Sequence, residues 1–87
     1  MSKQSEEFGH LCRKKRQDRG LTLREVSIAC ECSHSLISFL EQGILPSERI
    51  LKRICTFFEL DYDTAIHIRA NVALNKIRKR YNLKGSE

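Results

Sequence analysis

Residues 21–43, LTLREVSIACECSHSLISFLEQG, decide the fold of this 87-residue chain. Thr22 is a good N-cap and Glu25, three residues on, completes a capping box, so a helix is expected over 23–30. Val26, Ala29 and Cys30 supply its apolar stripe at helical spacing. The pattern breaks at Glu31-Cys32, and Ser33 then caps a second helix over 34–42, whose Ile37 and Leu40 lie three apart on one face. Gly43 stops that helix. Two short helices about a tight turn, the second exposing small polar residues from its N-terminal end, describe a helix-turn-helix. The second helix of such a unit fits the major groove of DNA.

The flanking sequence extends the same all-α pattern, and no strand periodicity competes with it. A helix over 5–19 precedes the motif, with Glu6 and Glu7 in its first turn and Arg13, Lys14, Lys15, Arg16 and Arg19 towards its end, as the helix dipole favours. Ser47 caps a helix over 48–58 that buries Leu51, Ile54, Cys55 and Phe58. A long fifth helix begins near Asp61 or Asp63 and runs to Tyr81. Ile66, Ala70, Ala73, Leu74, Ile77 and Tyr81 form a stripe along it at roughly heptad spacing. Ile66 and Ala70 are near enough to the core to fold back on it, whereas Ile77 and Tyr81 lie farther out and favour a partner chain. The expected organisation is a disordered start over 1–4, the helix-turn-helix domain over 5–66, a C-terminal helical extension serving dimerisation over 67–82, and a disordered tail over 83–87.

Composition bounds the function. A chain of this length holds one domain with a modest core. Sixteen Lys and Arg against eleven Asp and Glu, with a pI near 9.3, suit a polyanionic partner. The charge is uneven: residues 1–20 carry six bases and three acids, net +3, and residues 46–87 carry nine bases and five acids, net +4. The motif between them has Arg24 against Glu25, Glu31 and Glu41, net −2, so an acidic reading head sits between basic flanks. No apolar run is long enough to span a membrane and there is no signal peptide, which points to the cytoplasm. The four cysteines suit a reduced compartment. Cys30-x-Cys32-x-His34 is ligand-rich, but Cys-x-Cys is not the usual zinc-knuckle spacing and no second pair appears, so neither metal nor cofactor is expected. Three histidines without a Ser and acid that group with them, and no Gly-rich phosphate loop, argue against an enzyme.

From about Phe8 to Ile66 the chain resembles the Cro/cI-type helix-turn-helix family, also called the XRE family, which has a lambda-repressor-like five-helix fold. The resemblance is carried by Arg16 and Gly20 at the end of the first helix, Leu21-Thr22 opening the motif, and Ile37-Ser38-Phe39-Leu40-Glu41-Gln42-Gly43 where the family has its I-S-x-I/L-E-x-G run. Pro46-Ser47 before the fourth helix and Leu60-Asp61-Tyr62-Asp63 before the fifth continue it. Cys12, Cys30 and Cys55 fall where the family has core Leu, Leu and Ala, and free Cys packs well as a small apolar residue. The chain departs from the family at Glu31, where the turn usually has Gly, at Leu23, where a phosphate-contacting Gln is common, and at Ile44-Leu45, a loop often rich in Lys and Arg. A non-Gly residue at positive φ costs about 1 kcal/mol.

The resemblance implies that His34, Ser35 and Phe39 fill base-reading positions, with Ser38 beside them. Hydroxyls suit several base edges, His suits a base edge or a phosphate, and Phe39 offers apolar contact such as with a thymine methyl. The alternative is that Leu36 and Phe39 extend the apolar face to bind protein. Arg16 and Glu41 resemble a pair that ties the first helix to the third and lets the Arg lean onto a phosphate. Arg16, Arg24, Ser33, Gln42 and Arg49 are assigned to the DNA backbone, and Ile44, Leu45, Leu74, Ile77 and Tyr81 to a dimer interface. The expected protein is therefore a homodimeric regulator of transcription on double-stranded DNA, most simply a repressor, open to control by a protein antagonist. The rival expectation is an adaptor or an antagonist of another regulator on the same fold, favoured by the acidic motif and by Leu36, Phe39, Ile44 and Leu45.

Overall fold

The computed structural model describes residues 3–81, with side chains to Ile77. Five helices follow in order: α1 (Lys3–Asp18), α2 (Leu23–Ala29), α3 (His34–Glu41), α4 (Glu48–Phe58) and α5 (Tyr62–Tyr81). Among the described residues there is no strand, and no helix is long and apolar enough to cross a membrane. α1 begins two residues before its expected start. Lys3 and Gln4 are good helix formers with no breaker among them, so the disordered start expected over 1–4 includes two helical residues. Residues 1–2 and the tail expected over 83–87 lie outside the described residues.

The first four helices end alike. In each, two consecutive amides fold back onto the last turn: Gly20 onto the Gln17 carbonyl and Leu21 onto Arg16, Glu31 onto Ile28 and Cys32 onto Ser27, Gly43 onto Leu40 and Ile44 onto Phe39, Glu59 onto Thr56 and Leu60 onto Cys55, at 2.8–3.3 Å. This nested pair is the Schellman motif, which satisfies carbonyls the helix leaves open and demands a left-handed residue at the turn. Gly43 meets that demand with φ 97°, but Glu31 and Glu59 meet it with side chains at φ 55° and 57°. The strained turn expected at Glu31 is thus present, with a second at Glu59. At the other ends, Thr22 forms the expected capping box, its hydroxyl accepting from the Glu25 amide at 3.1 Å while its own amide donates to the Glu25 carboxylate at 2.8 Å. Ser33 accepts from the Leu36 amide at 3.3 Å. Ser47 stands at the start of α4 but its side chain makes no capping bond there.

The core draws on every helix: Phe8 and Cys12 from α1, Val26 and Cys30 from α2 and its end, Ile37 and Leu40 from α3, Leu51, Ile54, Cys55 and Phe58 from α4, Ala65 from α5. Cys12, Cys30 and Cys55 are core residues as expected. Burial first, and the neighbouring Cys55 second, push the Cys12 thiol up to about 12, and burial lifts Cys30 and Cys55 to about 11, so all three stay protonated at neutral pH. The α2 stripe differs from expectation at one position: Ala29 is exposed and Ser27 is buried instead. At about 100° per residue, Val26, Cys30, Leu23 and Ser27 fill one arc of about 100° and Ala29 falls outside it. Ser27 tolerates the burial because its hydroxyl donates to the Arg24 carbonyl at 2.7 Å.

Three contacts set the helices against one another. α1 lies on the end of α3 so closely that a Cβ on Gly9 would meet the Leu40 carbonyl oxygen at 2.4 Å. Arg19 closes the end of α4: it donates to the Phe57 carbonyl at 2.7 Å, approaches Glu59 at 3.4 Å, and sits 5.3 Å from the centroids of the Phe57 and Phe58 rings. Arg69 ties α5 to the loop before α4, donating to the Pro46 carbonyl at 2.9 Å. The face that α5 turns inward is Tyr62, Ala65, Ile66, Ile68, Arg69 and Val72, buried or half-buried, and Ile66 packs against the core as expected. Ala70, expected to fold back, is exposed because it lies about 100° past Arg69.

These contacts make opposite demands on two small substitutions. Gly9→Ala should destabilise the chain by about 1–3 kcal/mol, because backbone rather than a flexible side chain meets the new methyl. Glu31→Gly should stabilise it by about 0.5–1 kcal/mol by relieving a left-handed side chain. Denaturant unfolding of both variants against the parent measures the two signs.

Candidate nucleic-acid interface

The second helix of the motif is held from behind. Arg16 of α1 grips Glu41 at the end of α3 with two bonds, Nε to Oε2 at 2.7 Å and Nη2 to Oε1 at 3.1 Å, while Nη1 donates to the Leu21 carbonyl at 2.9 Å. The two side chains are only 14% and 10% exposed, so this is a two-pronged, partly desolvated pair rather than a solvated surface contact. The bond to Glu41 holds the Arg16 guanidinium above its ordinary range. Three of the five guanidinium N–H groups are used, which leaves two for an outside acceptor.

With Ile37 and Leu40 turned into the core, α3 presents its other side outward. His34 and Ser35 are exposed in the first turn, and Phe39 is 46% exposed near the end. Ser38 is half-buried, and its carbonyl and hydroxyl oxygens both accept from the Gln42 side-chain amide at 3.2 Å. Gln42 is therefore folded onto its own helix instead of reaching away from it. The Ser33 hydroxyl is engaged at the cap but keeps its own proton to donate. Phe39 and Ile44 share a further constraint: they are the two residues joined by the outer bond of the Schellman turn, the positions that commonly pack as an apolar pair there.

His34 also lines an open notch with Arg16, Leu21, Thr22 and Arg24, between the start of α2 and the start of α3. Two guanidinium-bearing residues and an imidazole thus converge beside the outward face of α3, a donor set suited to a phosphate. Arg49 is not part of this group; it lines a separate groove between the end of α2 and α4. Of the residues expected at a dimer interface, Ile44, Leu74 and Ile77 are 43–48% exposed, and Leu45 is half-buried against the core. Tyr81 has a helical backbone, and its side chain lies outside the described residues.

The acids of the motif do not gather on this face. Glu41 is paired with Arg16, Glu25 is bound in its capping box, and Glu31 lines the groove beside Arg49, Lys52 and Arg53. Sequence reasoning missed the carbonyl of Leu21 as the third anchor of Arg16, the Arg19 clasp on α4 and the Arg69 tie. A backbone acceptor leaves no side-chain signature, and Arg19 is indistinguishable from its basic neighbours in sequence.

A helix-turn-helix domain family model matches residues 7–66. Two crystal structures of the clp gene regulator ClgR from Corynebacterium glutamicum are similar to the chain. One is 28% identical with a TM-score of 0.61, over 93% of this chain and 88% of that one. The other is 29% identical with a TM-score of 0.60, over 82% of this chain and 95% of that one. No curated protein sequence matches the chain.

The Arg16–Glu41 geometry carries an energetic consequence. A double-mutant cycle with Arg16→Ala and Glu41→Ala should give a coupling of about 1 kcal/mol or more in unfolding free energy, against the few tenths of independent sites. Additive single effects would mean that α3 is positioned by core packing alone.

Proposed function

The chain belongs to the helix-turn-helix domain family, and on that premise we propose that it is a DNA-binding transcriptional regulator of the Cro/cI type, acting as a dimeric repressor. The observation that carries this reading is the outward face of α3 beside the Arg16, Arg24 and His34 notch: small polar groups at a helix start, next to cationic donors. In this reading α3 enters the major groove, Ser35 and Ser38 meet base edges, Phe39 offers an apolar edge to a thymine methyl, and the notch takes a backbone phosphate. The likeness to ClgR, described as a clp gene regulator, supports a regulatory role.

A dimer is supported by the outer side chains of α5. Leu74 and Ile77 stand half-exposed on it, and burying such side chains contributes about 1.5–3 kcal/mol each before the cost of association. Two copies joined there place their α3 helices in successive major grooves, about 34 Å apart, on a near-palindromic site. A domain of this kind represses by occupying DNA that the transcription machinery needs.

Two measurements test this. The purified chain should shift short duplex DNA with a steep salt dependence, log affinity falling by about 0.9 per neutralised phosphate for each decade of salt. Ser35→Ala should then change preference at particular base pairs by about 1–3 kcal/mol. Absence of any shift at low salt would favour the adaptor reading over this one. In sedimentation at matched concentrations, truncation after Asn75 should leave the domain folded and weaken dimerisation and DNA affinity together. Equal dimerisation of both chains would move the interface to the Ile44-Leu45 loop.

A further inference from the structure

The end of α2 and the outer face of α4 enclose an open groove of about 520 Å³ that the DNA-facing surface does not use. Its lining has two characters. Ala29 and Phe57 supply an apolar floor, and Arg49, Lys52 and Arg53 line it with three cations against the single acid Glu31. The floor is preformed. Phe57 is held edge-on to Phe58 with centroids 5.0 Å apart, and the Arg19 guanidinium lies 5.3 Å from its centroid. Arg53 reaches the Glu31 carbonyl at 3.4 Å, whereas the side chains of Arg49 and Lys52 have no bonding partner among the described residues. Unpartnered cations on the rim of an apolar hollow attract an anion that brings an apolar group with it.

We propose that this groove is a docking site for an acidic peptide segment of another protein, one that seats a large apolar side chain against Ala29 and Phe57 while its carboxylates meet Arg49, Lys52 and Arg53. Charge complementarity selects the sign of the partner, and the apolar floor selects its kind. A duplex backbone supplies phosphates but no apolar side chain to fill the hollow. Location agrees: the notch that suits a phosphate is at the start of α2 and the groove at its end, about 10 Å along a helix of seven residues. A regulator bound to DNA through α3 therefore keeps this groove available for a second macromolecule.

Titration of the isotope-labelled full chain with a short synthetic peptide of Asp and Glu around a central Leu-Phe pair, followed through backbone amide shifts, tests the proposal. The largest shifts are expected at Ala29, Glu31, Lys52, Arg53 and Phe57. Replacing the Leu-Phe pair by Ser-Ser, or the protein's exposed Arg49 and Lys52 by Glu (R49E with K52E), should each weaken binding about tenfold or more. Shifts centred on the bases of α1 or on α3 would overturn the proposal, as would equal affinity for the Ser-Ser peptide or undiminished binding by the double variant. If short duplex DNA shifts the same amides and displaces the peptide from the parent chain, the groove is a phosphate contact and the proposal fails.

Discussion

The bond between Arg16 and Glu41 is the constraint on which the geometry of this molecule turns. A helix of eight residues such as α3 is too short to hold its own orientation and must be held from its buried side. Ile37 and Leu40 provide the apolar part of that grip, and Arg16 provides the directional part, since a planar fork fixes angle as well as distance. The same guanidinium also holds the Leu21 carbonyl, so one side chain sets α1, the entry to α2 and the end of α3 relative to one another. Gly9 completes the arrangement from the steric side. With no Cβ, it allows α1 to rest on the carbonyls that end α3, which brings Arg16, two turns further along α1, within reach of Glu41.

Short helices also need well-made ends. Four of the five helices close with the same pair of backbone bonds, and two of those closures accept a left-handed glutamate. The cost of about 1 kcal/mol per site is offset because each closure satisfies carbonyls that the helix otherwise leaves open. At Glu59 a neighbour offsets part of it, since Arg19 approaches its carboxylate and caps the Phe57 carbonyl. At Glu31 the carbonyl is met by Arg53 and the side chain lines the cationic groove, so the residue that strains the turn also shapes the surface between α2 and α4.

Charge in this protein is a matter of where, not how much. By count, the motif is acidic and its flanks are basic. In space, Glu41 is neutralised by Arg16, Glu25 serves its own helix start, and Glu31 lies at the other end of α2 from the notch. Arg16, which belongs to a flank in sequence, belongs to the motif in space, and its two open N–H groups stand with Arg24 and His34 as donors beside the start of α3.

Sequence by itself determined the local structure. The capping box at Thr22 and Glu25, the break at Glu31-Cys32, the stop at Gly43 and the stripe Leu51, Ile54, Cys55 and Phe58 are all short-range signals. They set the order of five helices and most of the core, because caps and 3.6-residue periodicity act within one or two turns. The Arg16–Glu41 pair was legible only through family resemblance, since its partners are 25 residues apart. Tertiary structure alone decided the remainder: that Ser27 and not Ala29 is buried, that Ala70 faces outward, that Gln42 is spent on Ser38, and that Arg49 faces a groove and not the notch. Each depends on the rotation of one helix against its neighbours or on a competing hydrogen bond. Long-range packing sets these: spacing within a helix says which residues share an arc, and the neighbouring helices decide which arc is covered.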